Sequence, residues 1–174
     1  YFLPLALGWE ETEEERVKKI AGGAFARIRQ QAEVGLIGDA VYDEAYYHSV
    51  IRAIGDQREL PAGDGQIRFV PGADFAELTA ELPDDLTLVR LPGLGTNSAT
   101  VLGDTLFLKT FRRLREGLNP ELEVGRFLTD VARFEHCVPV AGHIEFVDSE
   151  GEITALALLQ RFVPNQGDAW TFAV

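Results

Sequence analysis

Residues 97–111 read NSATVLGDTLFLKTF, and residues 119–131 read NPELEVGRFLTDV. In the first stretch Gly103-Asp104 suits a tight turn between two strands, Ala99 to Leu102 and Thr105 to Phe111, the latter rich in β-forming residues. Strand side chains alternate between faces, so Lys109 shares a face with Phe107 and Phe111. A lysine in that position either snorkels at a sheet edge or points into a cleft toward an anion. The chain has only three lysines, Lys18, Lys19 and Lys109, against thirteen arginines, which singles Lys109 out. The second stretch is a helix start: Asn119 caps, Pro120 fits the first helical position and Glu121 complements the helix dipole. The apolar period carries this helix to about Phe134, with Val124, Phe127, Val131 and Phe134 on one side. Glu123 lies one turn in. A carboxylate there needs no function, but a helix packed over the strands would let it reach a strand lysine.

Working outward, Leu86 to Arg90 reads as a further strand. It is followed by the flexible stretch Pro92 to Ser98, whose Gly93 and Gly95 make a GxG without the third glycine of a phosphate loop. Val138 to Val147 and Glu152 to Val163 pair around the polar turn Asp148 to Gly151. This half is therefore a five-stranded antiparallel sheet with one main helix. Upstream, Tyr1 to Trp9 reads as an edge strand, because of Pro4. Val17 to Ile20 and Ala24 to Ile28 read as strands around Gly22-Gly23, and Val34 to Val41 as strand or turn. Asp43 caps a helix of about three turns, with Tyr47, Val50, Ile51 and Ile54 at helical spacing. Gln66 to Val70 is a strand, and Phe75, Leu78 and Leu82 mark a brief helix stopped at Pro83. The fold class is α+β in two parts: a β-rich cap over residues 1–85, then the sheet and helix over residues 86–174.

Composition bounds the function classes. With 46% hydrophobic and 25% charged residues, the 174-residue chain is globular rather than disordered. Its apolar runs are too short to span a bilayer. Sixteen basic against 28 acidic residues give −12, which disfavours nucleic acid and anionic membrane as partners. The acidic excess is larger over residues 1–90, with 17 acids against 9 bases, than over 91–174, with 11 against 7. The lone Cys137 reads as a small buried hydrophobe and fits a reducing, cytoplasmic setting. His48, His136 and His143 are too few and too badly spaced for a closed metal site, and neither GxSxG nor HExxH occurs. Methionine is absent, which suggests a segment of a longer polypeptide.

The order strand, glycine-bearing turn, strand, strand with inward lysine, helix with early glutamate, two strands is that of the small lobe of a kinase-like ATP-binding fold. In wording, residues 95–115 (GTNSATVLGDTLFLKTFRRLR), 119–131 and 156–170 (LALLQRFVPNQGDAW) resemble maltokinase, in particular the portion fused behind trehalose synthase in bacterial bifunctional polypeptides. Residues 1–9 (YFLPLALGW) and 41–54 (VYDEAYYHSVIRAI) resemble that family's N-terminal cap. The resemblance implies transfer of the γ-phosphoryl group of ATP, with magnesium, to the anomeric hydroxyl of maltose. It implies that Lys109 binds the α- and β-phosphates with Glu123 as its partner, and that Asn97 and Ser98 lie near the phosphates. Backbone groups of Gln160, Arg161 and Phe162 would contact adenine. The family's catalytic aspartate and metal-binding acids lie on a large lobe beyond that hinge, so no catalytic or metal residue is expected here and the chain alone is expected to be inactive. The competing expectation is a non-catalytic module whose acidic cap contacts trehalose synthase or spaces domains.

Overall fold

The computed structural model describes residues 1–80, 82–83, 85–91, 96–117 and 119–165. The glycines at 93 and 95, Asp84 and residues 166–174 lie outside the described residues. The apolar opening run forms β1 (Leu5–Trp9), which pairs antiparallel with β3 (Glu33–Asp39). β2 (Ala24–Gln30) lies on the other side of β3, so β1 is an edge strand as expected. Val17 to Ile20, expected as a strand, is instead part of helix α1 (Glu14–Ile20). The charge pattern overrides the β-branched residues here. Glu14 and Glu15 occupy the first turn, Lys18 and Lys19 the last, and Lys18 Nζ lies 2.9 Å from Glu14 and 2.8 Å from Glu15. Ile20 is fully buried beside Ala6 and Ala40.

Helix α2 (Glu44–Gly55) begins where Asp43 caps it: Ala45 N–H donates to Asp43 Oδ1 at 3.2 Å. The other oxygen of this buried carboxylate accepts from Arg16 Nε at 3.0 Å and Nη2 at 2.7 Å, tying α1 to α2. Asp43→Ala is expected to cost about 1–2 kcal/mol, chiefly through the lost cap, since Arg16 keeps access to water. Chemical denaturation of the variant measures it.

The second sheet has seven strands among the described residues, not five. Its members are β4 (Glu59–Ala62), β5 (Gly65–Pro71), β6 (Leu88–Leu91), β7 (Asn97–Leu102), β8 (Leu106–Phe111), β9 (Val140–Val147) and β10 (Ile153–Arg161). The order is β4-β5-β9-β10-β8-β7-β6, with every neighbouring pair antiparallel. The five expected strands are all present. β5 adds to them by pairing Gln66 to Pro71 with Val147 to Gly142 of β9, and β4, holding Pro61, closes that edge. At the three-residue β7–β8 connection, Gly103 to Thr105, both Gly103 and Asp104 take left-handed backbone angles, φ 56° and 54°, and Thr105 N–H donates to Leu102 O at 3.2 Å.

Cross-strand partners share a face, and the two faces of the sheet have different covers. On one, Leu102, Leu106, Leu108, Ile144 and Leu159 form a core with Tyr47, Val50 and Ile54 of α2. Each such side chain contributes about 1.5–3 kcal/mol by leaving water. Tyr47 Oη donates to Val41 O at 2.8 Å and lies 2.9 Å from Thr100 Oγ1, pinning α2 to β7. On the other face Phe111, Val140, Ala155 and Leu158 pack with Leu122 of helix α4 (Pro120–Arg126). A Cβ at Gly125 would sit 2.9 Å from Val140 Cγ2, so glycine lets α4 approach β9 this closely.

Helix α4 departs from expectation in length. The regular helix ends at Arg126 and gives way to a single π-type turn, Phe127–Val131. Val124, Phe127, Val131 and Phe134, which the spacing puts on one side, are exposed. Leu122 and Thr129 are the buried positions, Thr129 Oγ1 accepting from Val140 N–H at 3.1 Å. A short third helix, α3 (Phe75–Thr79), fills the expected place before Pro83. Cys137 is half-buried, with Sγ 3.0 Å from Phe134 O, rather than a core residue. No helix among the described residues is long and apolar enough to cross a membrane.

Candidate functional site

β8 presents Phe107, Lys109 and Phe111 on the face that α4 covers, because Lys109 pairs across the sheet with Ala99 on β7 and Leu158 on β10. The capping of α4 then places a carboxylate over the lysine. Asn119 Oδ1 accepts from Glu121 N–H at 3.0 Å and Leu122 N–H at 3.2 Å, and Leu122 turns into the core. Glu121 is left above β8, where Lys109 Nζ donates to its Oε2 at 2.6 Å and Oε1 at 2.9 Å. The ammonium also lies 5.7 Å from the centre of the Phe111 ring. The lysine side chain is 20% exposed and the glutamate 41%. At that exposure the pair adds only about 0–1 kcal/mol to stability. Its chemical content is a partly exposed cation held in place above β8 rather than a structural clamp.

The expected partner, Glu123, is not the one used. Two residues along a helix is a rotation of about 200°, so Glu121 and Glu123 cannot both face β8. Glu123 instead lines a separate cavity of 190 Å³ with Leu122, Arg126, His143, Glu145 and Ala155. There the buried His143 Nε2 lies 3.2 Å from Glu145 Oε2. That hydrogen bond holds the Glu145 carboxyl below its ordinary value, against the opposing effect of burial. A depressed carboxyl contributes stability above its ordinary range and loses it as pH falls through the lowered value. Glu145→Gln should therefore differ most from wild type near neutrality and converge with it in acid, as urea midpoints at several pH values would report.

Asn97 and Ser98 separate. Asn97 opens β7 opposite Phe111, on the face of Lys109. Ser98 faces the opposite side, beside Thr110, and its Oγ accepts from Arg112 Nε at 2.8 Å. Arg112 also pairs with Asp39 at the end of β3, and its carbonyl accepts from Phe2 N–H, so Ser98 belongs to the join between the two sheets. Gln160 pairs with Phe107 and so shares the Lys109 face. Arg161 N–H donates to Pro139 O at 3.0 Å and Phe162 N–H to Thr105 O at 2.7 Å. Those two donors are committed within the fold, which leaves any adenine contact to other backbone groups of the segment.

The cavity beside Asn97 has a volume of 280 Å³ and is lined by Thr96, Phe111, Arg113, Arg115, Asn119, Pro120 and Ala155. Arg113 and Arg115 were not singled out from sequence. The signal was available in the run Arg112 to Arg115, three arginines together in a strongly acidic chain. Among the described residues, no group of three His, Cys, Asp or Glu is placed to hold a metal ion.

No family model matches the chain. A solved structure of a glucosamine kinase (crystal form B) is similar over 75% of this chain, at 15% sequence identity and a TM-score of 0.38. The match takes in 41% of that protein, so the chain spans about two-fifths of its length.

Proposed function

We propose that this chain is the cap and ATP-binding lobe of an ATP-dependent maltokinase, divided near residue 85 except that β4 and β5 of the first part join the sheet of the lobe. The observation that carries the reading is the bridge from Lys109 on β8 to Glu121 on α4. Phosphoryl transfer depends on positioning and on neutralising phosphate charge, and a strand lysine oriented by a helix carboxylate supplies both. In this role Lys109 Nζ donates to the α- and β-phosphate oxygens of ATP, and Glu121, not Glu123, holds the ammonium in place. Asn97 and Gln160 lie on the same sheet face, at the phosphate and base ends of the bound nucleotide.

The resemblance over residues 95–115, 119–131 and 156–170 supplies the substrate: the anomeric hydroxyl of maltose takes the γ-phosphoryl group, and ADP leaves. It also supplies the setting, a cytoplasmic polypeptide shared with trehalose synthase. The resemblance also assigns the magnesium ligands and the catalytic base to a large lobe outside this chain. The isolated chain accordingly forms no maltose 1-phosphate. Thermal unfolding tests the reading. A ligand that binds only the folded state raises the unfolding midpoint with its concentration, so the midpoint should climb with Mg-ATP. A midpoint indifferent to Mg-ATP would favour a non-catalytic module instead.

A further inference from the structure

The cavity beside Asn97 has an unusual chemical balance for this chain. Among the described residues its lining offers two guanidinium groups (Arg113 and Arg115), two side-chain amides (Asn97 and Asn119) and the Thr96 hydroxyl, and no carboxylate. The sequence holds 28 acidic residues against 16 basic ones, so a carboxylate-free cavity with two arginines is not what composition alone would produce. Arg113 and Arg115 have no ion pair or hydrogen bond among the described residues, whereas Arg112, between Phe111 and Arg113, donates from Nε to Ser98 and from Nη2 to Asp39. Asn119 spends its Oδ1 on the α4 cap, which leaves its amide N–H groups as donors. Every polar side chain on the wall can donate, and the two charged ones are unneutralised.

We propose that this cavity is an oxyanion site of the phosphate class, separate from Lys109, with Arg113 and Arg115 as its charged donors. Guanidinium forks match phosphate oxygens in pairs, and charge-assisted bonds of this kind are about twice as strong as neutral ones. Phe111 and Asn97 connect the two places: Phe111 lines the cavity and also lies under the Lys109 ammonium. An anion here and phosphates on Lys109 would thus be neighbours along one sheet face. The anion is either the terminal phosphate of a nucleoside triphosphate, which rests on the function proposed above, or a phosphate from a second molecule, which does not.

Titration of the 174-residue chain with inorganic phosphate, pyrophosphate and Mg-ATP, followed by amide NMR shifts, tests the site. The variants are the double substitution Arg113→Gln with Arg115→Gln and a charge-matched control, Arg52→Gln with Arg58→Gln. All four side chains are exposed, so both doubles should keep the wild-type fold. Pyrophosphate binding is expected to weaken at least tenfold in the cavity double and to stay unchanged in the control. Loss of Mg-ATP affinity in the same double identifies the nucleotide's terminal phosphate as the occupant. Retained Mg-ATP affinity with lost phosphate binding identifies a second molecule, and the site stands in both cases. Lys109→Ala with undiminished Mg-ATP binding would remove the nucleotide reading and leave the arginine site intact. Equal weakening in the two doubles, or no binding of any of the three anions to the wild type, overturns the proposal.

Discussion

Lys109→Ala is expected to weaken Mg-ATP binding roughly ten- to hundredfold, the affinity equivalent of the about 1.5–3 kcal/mol carried by a hydrogen bond to a charged group. The fold should survive, because the pair it breaks is partly exposed and Glu121 can return to water. Glu121→Gln should lower affinity by a smaller factor: the ammonium remains but loses the bidentate contact that fixes it, at 2.6 and 2.9 Å. Glu123→Gln should leave affinity unchanged, since that carboxylate lines the other cavity. Isothermal titration across the three variants ranks them. A larger loss at Glu123 than at Glu121 would mean that α4 is rotated relative to the arrangement described here.

Tyr47→Ala is expected to destabilise the chain by about 3–5 kcal/mol, as large aromatic truncations in a core do. Tyr47 is 1% exposed and stands between α2 and the seven-stranded sheet. Truncation opens a cavity between them and also strands two hydrogen-bond partners, Val41 O and Thr100 Oγ1. Against a typical total stability of about 5–15 kcal/mol, such a loss moves the unfolding transition far down in denaturant. Tyr47→Phe separates the two contributions, since it keeps the ring and removes only the hydroxyl. Its cost should be about 1–3 kcal/mol, set by the buried groups left without partners. Equal costs for the two variants would show that packing around the ring relaxes freely.

The parts of this structure that were legible in the sequence are those set by local periodicity and turn chemistry. Lys109 could be placed on a face with Phe107 and Phe111 because the alternation of β8 is unbroken and Gly103-Asp104 fixes where the strand begins. The caps at Asp43 and Asn119 were legible for the same reason. Sheet membership was not, because the pairing of β5 with β9 joins segments more than 70 residues apart, and alternation says that a strand exists without naming its neighbour. Ser98 was lost to a boundary. Starting β7 at Ala99 left residues 97 and 98 in a loop, whereas a start at Asn97 puts them on opposite faces. The choice between Glu121 and Glu123 depends on how α4 is rotated, which the burial of Leu122 decides and neither glutamate reveals. The long apolar stripe from Val124 to Phe134 misled as to the length of α4: it has helical spacing but is exposed, and the π-type turn breaks its register.

The three lysines of the chain allow a direct test of where nucleotide phosphate sits. Lysine labelled with carbon-13 at its Cε gives three resonances, and Lys109→Arg assigns the one of interest. Lys18 and Lys19 are on α1, paired with Glu14, Glu15 and Glu44. On addition of Mg-ATP the Lys109 resonance should shift and saturate, while the other two stay in place. A stationary Lys109 signal, or a shift confined to Lys18 and Lys19, would contradict the assignment of Lys109 as the phosphate-binding residue.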